Sequence, residues 1–370
     1  MTGADDGALR VALLNPRYWP EVRRGSERFA RELADGLIAR GHRTRLITSH
    51  RGPPSRTDED GLEVVRNWRP SEDRLRRREF EDHLSHVPFS YLSLRGGDDD
   101  LAHALYPTDA LAAARWSERT GRPAVMSWMG LATRRWLVSR RHRARIAAEA
   151  ARRSGAVTAL SRTAAEALRR ELGVDARVIH PGADLRAFVP GEGRAEEPTI
   201  VCAAAIDQPQ KRVPLLVEAF GGVRREHPRA RLVLSRSAAS PPLRVPEGDG
   251  VELRDLDDRA TLAAAYREAW VSALPSWGEA FGLVLVEAMA CGTPVVGSDL
   301  GAIPEVVDSD RVGRLFGGDE PAAVTRALLE AIELARDPAT AAACRARAED
   351  FSTEATAEAY EALYRELLSG

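Results

Sequence analysis

Lysine is nearly missing from this chain: among its 53 Lys and Arg residues, Lys211 is the only lysine. A sequence this committed to the planar guanidinium that still keeps one ammonium points to a position needing a compact, flexible point charge. Cysteine is scarce as well. Cys202, Cys291 and Cys344 lie in apolar or helical contexts without metal-ligand spacing, which argues against a disulfide framework or a zinc site and for reduced intracellular thiols. No apolar run approaches the roughly 18 residues of a membrane helix, and Met1 to Arg10 lacks the apolar stretch of a secretion signal. A cytoplasmic protein is expected. With 370 residues and a net charge of −2, the chain has room for two domains with cores of their own, and no nucleic-acid partner is expected.

The densest signal is Pro275 to Val307, P-S-W-G-E-A-F-G-L-V-L-V-E-A-M-A-C-G-T-P-V-V-G-S-D-L-G-A-I-P-E-V-V. Val271 to Leu274 is a short apolar run typical of an inner parallel strand, stopped by Pro275, Ser276 and Gly278. Helical periodicity then covers Phe281 to Cys291, with Gly292 as the C-terminal cap, and Val295 to Gly297 resumes as strand. A Gly-flanked turn that feeds a helix N-terminus offers free backbone N–H groups and a positive dipole end, suited to phosphate or sugar oxygens. Glu279 precedes this helix and Glu287 lies within it. Eight residues at helical rise span roughly 12 Å, about the separation of sugar and ribose in an extended nucleotide-diphosphate sugar.

These residues resemble the retaining glycosyltransferases of family 4, whose hallmark is E-x7-E in this P-S-x-x-E-x-F-G context. The resemblance implies an α/β, GT-B architecture, in which two Rossmann-like, doubly wound domains face a central cleft. The expected division is an acceptor-side domain over 1–180, a donor domain over 181–352, and a last helix over 353–370 crossing back onto the first domain. By the same resemblance, Glu279 and Lys211 are the catalytic candidates. Gly25, Lys211, Arg212, Ala280, Phe281, Gly282 and Leu283 would surround the donor diphosphate, with Glu279 near the sugar and Glu287 at the ribose. His103 resembles a strand-end histidine of the family. Two departures stand out: Ile206 occupies the place of a diphosphate-binding arginine, with Arg212 as an open substitute, and Met129 occupies the place of a histidine that approaches the donor sugar.

Elsewhere the order is strand, Gly-containing loop, helix and strand. Arg10 to Asn15 is the first strand, Ser26 is placed to cap a helix running to Arg40, and Arg43 to Thr48 is the second strand. Arg24-Gly25-Ser26 stands where the family carries a glycine pair. Arg66 to Arg95 reads as irregular, and Leu131 to Arg153 as one arginine-rich helical stretch. Asp98-Asp99-Asp100 matches the D-x-D metal signature of the other major glycosyltransferase fold, but without a partner motif no metal is expected there. Met1 to Arg177 holds 33 basic and 24 acidic residues, leaving 20 against 31 in the remainder. A basic first half suits an anionic membrane surface or a phosphorylated acceptor, or attraction between the halves.

The function expected from the resemblance is transfer of a sugar from a nucleotide-diphosphate sugar to an acceptor, with retention of anomeric configuration and without metal or cofactor. The acceptor, whether lipid, glycan or small molecule, is open. A sugar phosphorylase, an epimerase of the same fold, or a non-catalytic sugar-binding relative are the alternatives.

Overall fold

The computed structural model describes residues 7–21, 25–236 and 249–370, and the chain divides into two compact units. The first contains residues 1–180 and 354–370. In chain order it runs β1 (Arg10–Leu14), α1 (Gly25–Ala39), β2 (Arg43–His50), β3 (Ser55–Glu59), β4 (Leu62–Trp68), α2 (Asp73–Arg77), α3 (His86–Arg95), β5 (Leu101–Ala104), α4 (Pro107–Thr120), β6 (Ala124–Trp128), α5 (Arg134–Val138), α6 (Arg143–Arg153), β7 (Ala156–Ala159), α7 (Arg162–Leu172) and β8 (Arg177–Val178). The second unit, residues 181–353, runs β9 (Thr199–Cys202), α8 (Val213–Glu226), β10 (Arg231–Ser235), β11 (Val251–Arg254), α9 (Arg259–Glu268), β12 (Val271–Leu274), α10 (Leu283–Ala290), β13 (Val295–Ser298), α11 (Ile303–Val306), β14 (Gly313–Phe316), α12 (Pro321–Leu334) and α13 (Pro338–Glu349). The last helix, α14 (Thr353–Ser369), belongs almost wholly to the first unit.

The first sheet has the order β3-β4-β2-β1-β5-β6-β7-β8, parallel except for the edge hairpin β3–β4. The second is wholly parallel, in the order β11-β10-β9-β12-β13-β14. Both are doubly wound, with the order reversing between β1 and β5 and between β9 and β12. Period-two alternation explains why inner strands read as continuous apolar runs. Ala12 and Leu14 of β1 face Trp116 and the alanines of α6, whereas Val11 and Leu13 face Phe29 and Leu33 of α1 and Tyr360 and Leu363 of α14.

Several expectations are corrected. Arg66 to Arg95 is not irregular: β4, α2 and α3 occupy it, and β4 pairs back onto β3 through Asp60 and Gly61, both at positive φ as a two-residue hairpin turn requires. The polar, mostly exposed β3 carries no apolar alternation by which to announce itself. Leu131 to Arg153 is not one helix, because α5 and α6 are separated at Ser139 to His142, with His142 at φ 66°. The break lets Arg143 turn inward, where it donates to Glu81 at 2.5 Å and Asp82 at 3.0 Å and lies over Trp136 at 4.2 Å. Ser26 is no cap, since α1 already begins at Gly25, and Arg24 lies outside the described residues. Among the described residues, no helix is long and apolar enough to cross a membrane.

A buried polar cluster ties α14 to the first sheet. His103 on β5 bonds Tyr364 Oη through Nδ1 at 2.7 Å and Ser127 Oγ on β6 through Nε2 at 2.6 Å. Ser127 also bonds Thr158 on β7 at 2.6 Å and Tyr360 at 2.9 Å. Because both ring nitrogens are engaged and the ring is buried, His103 supports the fold and is not placed to meet a sugar, contrary to the expectation for this residue. Burial holds its pKa down at about 3. A histidine whose folded pKa lies below its unfolded value adds stability that is complete above about pH 6.5. That stability is lost as pH falls towards the folded value, because only the unfolded chain then gains the proton. His83, depressed by burial to about 4, acts in the same window, so the informative quantity is a difference between proteins. Between pH 7 and pH 5, the melting temperature of the wild type should fall more steeply than that of His103→Gln. Parallel thermal-melt profiles for the two proteins would show that His103 carries no such coupling.

Candidate active site

Ligands of doubly wound sheets settle outside the carboxyl ends of the strands, where the order reverses and successive loops diverge. In the second unit that place lies between β9 and β12. The loop after β9 ends in a short turn, Pro209–Lys211, and the loop after β12 carries Pro275 to Gly282. The loops are joined directly, since the Trp277 N–H donates to the Gln210 carbonyl at 3.1 Å. Arg212, at φ 49°, clamps the same region. Its Nε donates to the Pro275 carbonyl at 2.5 Å and its Nη1 to the Gly318 carbonyl at 3.3 Å and the Asp319 carboxylate, with the guanidinium 5.6 Å from the Phe316 ring centre.

At the junction, the ammonium of Lys211 donates to a carboxylate oxygen of Glu279. The side chains are 21% and 14% exposed, so the pair is shielded but still reaches the surface. Glu279 is held from the other side too. Its carbonyl accepts from Ala302 N–H at 3.0 Å, and a Cβ on Gly301 would come within 2.7 Å of that same oxygen. Gly301 is also at φ 64°, so no other residue fits there without strain. Alongside, α10 starts after Gly282 at φ 102°, an N-cap residue without a side chain to bond the first-turn N–H groups at the positive dipole end.

The family profile described as Glycosyltransferase Family 4 matches residues 23–187, and that described as Glycosyl transferases group 1 matches residues 197–333. The chain belongs to the family 4 glycosyltransferases. The D-inositol 3-phosphate glycosyltransferase of Streptomyces scabiei is 35% identical over 214 residues, 50% of this chain and 48% of that protein. The chain thus spans about half the length of the curated relatives it matches. Among solved structures, sucrose-phosphate synthase from Thermosynechococcus elongatus superposes with a TM-score of 0.82 at 22% identity, over 98% of this chain and 99% of that one. The Anabaena protein HepE in complex with UDP-glucose does so at 0.73 and 19%, over 98% and 99%. At such identities the likeness is one of fold, the GT-B architecture of two α/β units.

For a family 4 enzyme the remaining expected site residues divide clearly. Lys211, Arg212, Glu279 and the turn Ala280 to Leu283 are brought together at the reversal point of the second unit. Arg212 serves there as a clamp on backbone carbonyls, so the reading of it as a substitute diphosphate ligand is not what its Nε and Nη1 bonds describe. Ile206 is buried, consistent with its apolar side chain. Glu287, the residue expected at the ribose, is 0% exposed and accepts from Tyr266 Oη at 3.5 Å. Of the stretch from Glu279 to Glu287, only Leu283 to Glu287 is helical, with Gly282 turning the chain ahead of it.

In the first unit, Gly25 opens α1 after the β1 loop, at that sheet's own reversal point. A Cβ there would meet nothing within 4 Å and its φ is not positive, so neither packing nor backbone conformation calls for glycine. Met129 directly follows β6 and packs half-buried against the core. The Asp98 to Asp100 run is occupied internally: Asp98 and Asp100 pair with Arg10, and Asp99 with Arg45. The three cysteines are free and buried, and burial pushes Cys202 up to about 11 and Cys291 and Cys344 to about 12.

Sequence reasoning missed Gly301, whose available signal was a lone glycine in the turn between strand β13 and the Ile303-Pro304 helix start. Gly301→Ala should lose about 1–2 kcal/mol for the left-handed backbone alone, measured by urea unfolding. Gly278→Ala is the control, because a Cβ there meets open space. Equal midpoints for the two variants would remove the argument that Gly301 braces Glu279.

Proposed function

We propose that this chain transfers a glycosyl group from a nucleoside-diphosphate sugar to a hydroxyl acceptor, with retention of configuration at the anomeric carbon. The observation that carries the proposal is the Lys211–Glu279 pair at the β9/β12 reversal, beside the uncapped start of α10. Departure of a nucleoside diphosphate concentrates negative charge on phosphate oxygens. A fixed ammonium and aligned N–H groups stabilise that charge in the transition state more than in the ground state. Lys211 is the only ammonium-bearing side chain in the sequence, and it stands where this chemistry needs one. Glu279, already in contact with Lys211, sets the position of the ammonium in the resting protein. Its carboxylate is available to sugar hydroxyls or to the cationic sugar that forms as the leaving bond stretches.

The roles of lysine and helix dipole are those a metal ion fills in other diphosphate-releasing sites, so the proposal assigns leaving-group stabilisation to residues of this chain. Glu287, buried on α10 with Tyr266 Oη at 3.5 Å, is assigned to the ribose hydroxyls of the donor. The acceptor is a hydroxyl compound, and the names of the relatives make D-inositol 3-phosphate the first to try. Peripheral contact with an anionic membrane is assigned to the arginines of Arg134 to Arg153 other than the buried Arg143.

Steady-state kinetics with UDP-glucose, or with the sugar nucleotide that most raises the melting temperature, tests the assignment. Glu279→Gln should lower kcat on the order of 10²-fold, with UDP affinity nearly unchanged. Lys211→Arg, which keeps the charge but places a bulkier fork beside Glu279, should also lose most of its turnover. Wild-type rates in either variant would refute the roles given to the pair.

A further inference from the structure

The first unit contains a cavity away from its reversal point. Tyr91 and Arg95 from the end of α3, Trp116 and Arg119 from the end of α4, and Arg122 just beyond it line a cavity of about 460 Å³. Gly97 and Arg122 precede β5 and β6, so the cavity opens at the amino ends of these strands, the sheet edge opposite the one where Gly25 follows β1. No carboxylate-bearing residue lines it.

The cavity gathers several guanidinium groups with no carboxylate among its lining residues. Arg95 and Arg119 have no ion-pair partner among the described residues, and Arg122 has only the Asp99 carbonyl, to which its Nη1 donates at 2.5 Å. The carboxylates nearby are already engaged: Asp99 by Arg45, Asp98 and Asp100 by Arg10, and Glu118 by Arg153. The C-terminal ends of α3 and α4 supply negative partial charge, about half an elementary charge each. Together they offset roughly one of the three guanidinium charges, leaving about two uncompensated. A fourth cation, Arg115, lies 5.7 Å from the centre of the Tyr91 ring, and the Tyr91 hydroxyl is buried without a partner among the described residues.

We infer that this cavity binds a small phosphomonoester. A phosphomonoester carries nearly two negative charges at neutral pH and offers the oxygen geometry that guanidinium forks bind bidentately. At about 460 Å³ the cavity is larger than a bare phosphate needs and falls in the range of small-ligand pockets, so there is room for a hexose-sized body over the Trp116 floor. Binding in this cavity is independent of the transfer reaction proposed for the second unit.

Isothermal titration of the full chain with glucose 6-phosphate, inorganic phosphate and glucose tests it, in the wild type and in Arg95→Gln/Arg119→Gln. Both arginines are exposed at helix ends, so the variant should melt close to the wild type. Glucose 6-phosphate should bind at least about tenfold tighter than either phosphate or glucose, and the double variant should lose tenfold or more of that affinity. Absence of saturable binding overturns the inference, as does undiminished affinity in the variant, which would seat the ligand elsewhere. Equal affinity for inorganic phosphate overturns the phosphomonoester class in favour of the free ion.

Discussion

The reversal of strand order in the second parallel sheet is the constraint on which the candidate site depends. Parallel strands buried on both faces leave little freedom except in the loops at their carboxyl ends. Only between β9 and β12 do two successive loops part in opposite directions and leave a crevice. Lys211 ends one loop and Glu279 lies in the other, and their contact closes a pair separated by 68 residues in sequence. Arg212, Trp277 and Gly301 then hold this geometry through backbone atoms, which makes it insensitive to the flexibility of the lysine itself.

Arginine and lysine divide the work accordingly. Arginines in this chain mostly act as fixed forks: Arg45 against Asp99, Arg143 against Glu81 and Asp82, and Arg345 against the carbonyls of Leu185, Phe188 and Ala290. A guanidinium so used has its donors committed and contributes to structure. The ammonium of Lys211, by contrast, is a compact point charge on a flexible stem, held by Glu279. Arg95 and Arg119 differ from those arginines in being forks at one cavity without a carboxylate to receive them among the described residues.

The first unit is organised around a different necessity. His103, Ser127 and Thr158 place polar groups in the middle of three adjacent buried strands, where each would be costly alone. Tyr360 and Tyr364, one turn apart on α14, supply the missing partners. That is why a helix at the end of the sequence belongs to the unit formed by its beginning.

Local pattern by itself determined much of this protein. Apolar runs marked the inner strands, Val271 to Leu274 without an error of boundary, because burial on both faces demands them. The single lysine and the motif around Glu279 singled out two residues that the fold brings into contact, because composition and motif are properties of the linear chain. Tertiary structure decided what depended on partners distant in sequence. The edge hairpin of β3 was hidden because its pairing, and not its apolar content, holds it. Arg143 broke a helix-like stretch because Glu81 and Asp82 lie more than 60 residues away. His103 carried a residue type suited to a ligand, but burial against Tyr364 and Ser127 set it inside the first unit, and burial is not written in spacing.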